Sequence, residues 1–139
     1  MITVKRFSII ALMLLANICH SNEQKHPIDV KLDECLSKKE NMNTAGMVNC
    51  TVSATEAWDG ELNLAYKELS EKLSPDGKEK LKSSQLAWIK HRDLEYKSID
   101  AVYSDLQGTM YMPMRAMSIM QVTKNRALEL KAYVSLHAI

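Results

Sequence analysis

Two polar–aromatic stripes carry the side chains best suited to chemistry. Asp59, Asn63 and Tyr66 stand at i, i+4 and i+7, and Gln85, Trp88 and Arg92 at i, i+3 and i+7. Each spacing puts its set on one face of a helix. If the two helices fold back about Pro75-Asp76, then Asp59/Arg92, Asn63/Trp88 and Tyr66/Gln85 share a constant index sum, and the stripes are expected to face each other. The planar guanidinium of Arg92 suits the Asp59 carboxylate, and Gln85 can accept from the Tyr66 hydroxyl. A single acid–base pair is weak equipment for catalysis without a second carboxylate, a nucleophile or a neighbouring histidine, so no residue is assigned a catalytic role. The first reading is a polar seam that fixes helix register. The second is a set of partly exposed groups that bind a partner.

Met110, Met112, Met114, Met117 and Met120 fall close together. Thioethers are soft ligands for copper(I), but they also serve as adaptable packing groups, and no metal or other cofactor is expected. His26, His91 and His137 have no metal-ligand spacing and are expected in solvent.

These groups need helices to position them. The chain has only four glycines and three prolines. A short helix is expected within Asp29 to Glu40, then a turn over Asn41 to Gly46. From Thr44 to Leu73, the residues Met47, Ala54, Trp58, Leu62, Ala65, Leu69 and Leu73 recur at helical spacing. Ser74-Pro75-Asp76-Gly77 breaks that helix. A second long helix runs from Asp76 to Leu106 with Leu81, Trp88, Ile99, Val102 and Leu106 inward. A loop over Gly108 to Met112 leads to a third helix, in which Pro113 occupies the first turn and Ala116, Met120, Thr123, Ala127, Leu130 and Val134 repeat. The expected fold is all-α: a long antiparallel hairpin, a third C-terminal helix packed along it and a short N-terminal helix.

The 139 residues suit one domain. Lys5 and Arg6 precede an apolar run of 12 residues, Phe7 to Ile18, and then polar residues. This pattern reads as a signal peptide over 1–21, too short for a membrane span of about 20 residues, and leaves a domain over 22–139. Bulky Ile18 before Cys19 argues against lipid anchoring there. Without the leader, 16 basic residues face 17 acidic ones, a net charge of −1. That leaves no basic field for nucleic acid. Cys35 and Cys50 remain as an even pair in an exported chain and are expected to form a disulfide, worth roughly 3 kcal/mol.

The segments Trp58-Asp-Gly-Glu-Leu62-Asn63-Leu-Ala-Tyr66-Lys-Glu-Leu69 and Gln85-Leu-Ala-Trp88-Ile-Lys-His-Arg92-Asp93 resemble the L-N-x-x-Y-x-x-L and Q-x-x-W-x-x-x-R-D motifs of the LprI-like lysozyme-inhibitor family. Met47-Val-Asn-Cys50, Gly108-Thr-Met and Thr123-Lys-Asn-Arg126-Ala-Leu-Glu-Leu130 are similar to its other segments, so the resemblance runs from about residue 35 to 131. Many members carry two further cysteines, at positions held here by Tyr96 and Ser118. Their joint replacement fits the loss of one bridge and implies that these two residues lie close together.

The resemblance implies a protein partner: lysozyme, a cationic muramidase with two catalytic carboxylates in a cleft, which a protruding loop or helix end would block. The alternative is a periplasmic immunity or partner-binding protein against another envelope target, and the third reading is a copper(I)-binding protein. The seam residues Asp59, Asn63, Tyr66, Gln85, Trp88, Arg92 and Asp93 can satisfy one another. The binding surface is therefore expected at Gly108, Met110, Tyr111 and Met112 in the loop from Leu106 to Pro113, because tyrosine and methionine make adaptable apolar contacts. The protein is expected in the periplasm or secreted.

Overall fold

The computed structural model describes residues 25–137. The expected leader, with Cys19, lies outside the described residues. Four helices follow one another: α1 (Pro27–Ser37), α2 (Thr44–Lys72), α3 (Pro75–Ser104) and α4 (Tyr111–Leu136), with a 3-10 turn over Lys39–Asn41. No strand occurs among the described residues. No helix among them is long and apolar enough to cross a membrane.

The helix starts follow from local chemistry. Asn43 caps α2 by accepting from Gly46 N at 2.9 Å, and Ser74 caps α3 by accepting from Gly77 N at 3.2 Å. Both side chains occupy orphan donors of a first turn. Proline opens α1 and α3, where its missing N–H costs nothing. After α3 the chain turns through Gly108, whose φ of +114° suits a residue without a Cβ.

The core lies between α2 and α4. Trp58, Leu62, Ala65 and Leu69 of α2 interleave with Met120, Ala127, Leu130 and Val134 of α4. The two helices run parallel: Thr51 meets Met117 near one end, and Glu68 meets Lys131 near the other. α3 runs antiparallel to α4, with Tyr103 bonded to Ser118 and Arg126 to Gln85. α1 lies antiparallel on α2. It is held by the Cys35–Cys50 disulfide, by Leu32 in the core and by the Asp29–Lys124 ion pair at 2.6 Å.

The hairpin with a third helix along it is as expected, but its packing is not that of a simple hairpin. α2 and α3 touch at few places, and α4 makes the main contact with both. Burial explains this. α2 and α4 each carry an apolar stripe, whereas Gln85 is the only buried residue of α3. Apolar area goes where it is matched. Val102 and Leu106, expected inward, are 62% and 42% exposed. Gly46, expected in the turn, lies in the first turn of α2.

Candidate functional site

The two stripes do not pair with each other. The Asp59 carboxylate accepts from Asn63 Nδ2 of its own helix at 3.1 Å. Arg92 binds its neighbour Asp93, Nη2 to Oδ1 at 2.7 Å, and its guanidinium lies over the Trp88 and Tyr96 rings. Gln85 accepts from Arg126 rather than from Tyr66. A constant index sum equates heights along two helices but says nothing about which way each face turns, and α3 turns its polar face to α4.

The seam that does form joins α3 to α4. Arg126 is buried, with Nε 3.1 Å from Gln85 Oε1 and Nη1 2.7 Å from Glu129 Oε2. Its guanidinium lies 5.9 Å from the Trp88 ring centroid. The Tyr96 hydroxyl and Thr123 Oγ1 are 2.7 Å apart, and the Tyr103 hydroxyl and Ser118 Oγ are 3.1 Å apart. Tyr96 and Ser118, expected to be neighbours, are thus each bonded to a different residue. Beside this seam, Trp88, His91, Glu95, Asn125 and Glu129 border a shallow polar recess. Arg126 was missed as a seam residue. The available signal was an arginine on the apolar stripe of α4, one residue before Ala127, where burial demands a partner.

The opposite end of α4 has a different character. Asp100, Tyr103, Leu106, Gly108, Tyr111, Met112 and Arg115 line one recess. Val48, Val52, Thr55, Arg115, Ala116 and Ile119 line a second, between α2 and α4. Arg115 stands between the two and pairs with Asp100, Nε to Oδ1 at 2.7 Å. Met110 and Met112 are 65% and 56% exposed, while Tyr111 is half-buried against the first recess. Leu106 and Met114, at the two sides of the turn, are also exposed. Exposed apolar side chains beside shallow recesses, rimmed by polar groups, mark a candidate protein-binding surface.

The methionine cluster splits in two. Met110, Met112, Met114 and Met117 are exposed, and Met120 is in the core. Among the described residues no group of three or more His, Cys, Asp or Glu is placed to hold a metal ion. His26 does not stand in solvent as expected. It packs on Trp58, ring centroids 4.3 Å apart, and caps α1.

A crystal structure of an uncharacterised protein from Burkholderia thailandensis is similar, with a TM-score of 0.77 and 33% identity. The match covers 83% of this chain and 56% of that one, so this chain spans little more than half of that protein's length. No curated protein matches the chain. The family model described as "Lysozyme inhibitor LprI" matches residues 35–130. That span holds the disulfide, the α3–α4 seam and the apolar loop end, and the chain belongs to the LprI lysozyme-inhibitor family.

Proposed function

We propose that this protein is an exported inhibitor of lysozyme-type muramidases, and that it binds its target through the end formed by the α3–α4 loop. The observation that carries the reading is the exposed apolar side chains of Met110, Met112 and Leu106 at the recess that Tyr111 lines, on a chain of an inhibitor family. The methionines of this end are long and unbranched and its tyrosine is aromatic, which lets them adapt to a cleft wall. The side chains of the polar seam, by contrast, are committed to one another. No chemistry is asked of the inhibitor. It excludes substrate by occupying space, and the account assigns it no catalytic group. Export fits the charged and apolar segment within residues 1–21 and the Cys35–Cys50 bridge, which persists in an oxidising compartment.

The test is the clearing of a cell-wall suspension by lysozyme with increasing amounts of the mature protein. The expected result is a dose-dependent loss of clearing that saturates at a fixed molar ratio of inhibitor to enzyme and does not depend on the amount of cell wall. Unchanged clearing at excess protein would remove lysozyme as the target.

A further inference from the structure

The described residues contain seven methionines, and they fall into two classes. Met120 is 2% exposed in the core. Met42, Met47, Met110, Met112, Met114 and Met117 are all open to solvent, from 36% at Met47 to 65% at Met110. These six lie just before α2, in the start of α2, or around the start of α4. Because α2 and α4 run parallel, the starts of both helices share one end of the molecule, where Met117 Sδ lies 3.6 Å from Thr51 Oγ1. Every exposed methionine among the described residues therefore sits on or next to the proposed binding end.

Core packing does not require methionine at Met42, Met110 and Met112, which are more than half exposed. A sulfur open to two-electron oxidation distinguishes methionine from leucine, which would supply the same apolar area. We propose that this end is a reversible oxidation switch, in which conversion of the exposed thioethers, chiefly Met110, Met112 and Met42, to sulfoxides by a peroxide turns partner binding off while the fold survives. The inference rests on the reading that this end is the binding surface. In each step the thioether sulfur attacks one oxygen of hydrogen peroxide. An S–O bond forms, the O–O bond breaks, sulfur gives up two electrons, and the second oxygen leaves as water with both peroxide hydrogens. Two methionine sulfoxide reductases, one for each sulfoxide epimer, reverse the change when supplied with a thiol, the oxygen leaving as water and the thiols becoming a disulfide.

The sulfoxide is a strong hydrogen-bond acceptor. Where an apolar partner wall covers it without a donor, the contact is lost and a desolvation cost takes its place. Met120 is shielded, so the α2–α4 core keeps its packing at peroxide levels that convert the exposed residues. Exposure sets the order of reaction: Met110, Met42 and Met112 before Met114, Met117 and Met47.

The experiment titrates the mature protein with hydrogen peroxide. It follows each methionine by peptide mass spectrometry, together with melting temperature, binding of an apolar fluorescent dye and inhibition of lysozyme. The expected result is early oxidation of Met110, Met112 and Met42 with Met120 intact, an unchanged melting temperature, weaker dye binding, and inhibition weakened by roughly tenfold or more. Treatment with the two reductases together restores both readouts. In a variant carrying Met42→Leu, Met110→Leu and Met112→Leu, peroxide causes no further change in dye binding or inhibition relative to the same variant before treatment. Dye binding and inhibition that persist once the three are oxidised would overturn the proposal, as would a loss that tracks Met120 oxidation and unfolding. If the untreated protein leaves lysozyme uninhibited, the choice of target fails, and the dye signal and its reversal still decide the switch.

Discussion

Arg126 Nε donates to Gln85 Oε1 across 3.1 Å, inside the contact between α4 and α3. This pair ties α3, whose one buried residue is polar, to a helix that otherwise belongs to the apolar core. Arg126→Ala leaves the Gln85 carbonyl without its donor and is expected to cost roughly 1–3 kcal/mol of stability. Arg126→Lys is expected to recover only part of this, because an ammonium cannot reproduce the fork that reaches Gln85 and Glu129 together. In urea unfolding of both single variants and the double variant with Gln85→Ala, the double should lose less than the sum of the singles. Strict additivity would mean that the hydrogen bond does not couple the helices.

The Cys35–Cys50 bridge holds α1 across the core, with Leu32 and the Asp29–Lys124 pair as its other attachments. Replacing both cysteines by serine is expected to lower stability by about 2–4 kcal/mol. A thiol reductant should lower the melting temperature of the native protein and leave the serine variant unmoved. Two free thiols in protein purified from an oxidising compartment would contradict the assignment.

Two glycines of α2 should answer the same substitution with opposite signs. A Cβ on Gly46 would stand 2.5 Å from Asn41 Cα and 2.7 Å from its carbonyl oxygen, so backbone must move. Gly46→Ala is expected to destabilise by roughly 1–3 kcal/mol. A Cβ on Gly60 meets nothing within 4 Å, and Gly60→Ala should stabilise by about 0.5–1 kcal/mol through the helix backbone. Melting temperatures of the two variants, one below and one above the native value, check both claims.

The apolar stripes of α2 and α4, the break at Ser74-Pro75 and the cysteine pair were legible in the sequence, because each rests on local periodicity, cap chemistry or parity. The partner of α3 was not. Helical spacing fixes which residues share a face, and the turn fixes their heights, but the rotation of α3 is decided by long-range burial. The Gln85 face turned to α4, where the buried Arg126 finds its acceptor in Gln85 Oε1. His26 was misread for a related reason: its packing on Trp58 depends on where α1 docks, which sequence spacing does not encode.

Asp59 and Arg92 are expected to contribute little as a pair. Asp59 is exposed and bonded only within its helix, so Asp59→Ala should change stability by no more than about 0.5 kcal/mol. Arg92→Ala removes its stacking on Trp88 and Tyr96 and should cost roughly 0.5–1 kcal/mol. A double-mutant cycle between them in thermal unfolding should show no coupling. A coupling well above about 0.5 kcal/mol would restore the direct pairing across α2 and α3.

The central claim is that the loop end, and not the polar seam, contacts the target. The most direct measurement is a lysozyme inhibition titration with Met110→Ala, Tyr111→Ala and Met112→Ala beside Arg92→Ala, each with its melting temperature. The account predicts that the Met110 and Met112 variants keep the native melting temperature and inhibit at least several-fold less well. Tyr111→Ala should show the same loss of inhibition with a small fall in melting temperature, because its ring is half-buried. Arg92→Ala should melt slightly lower and inhibit normally. Full inhibition by all three loop variants, with loss in Arg92→Ala, would contradict the account and move the contact to the seam.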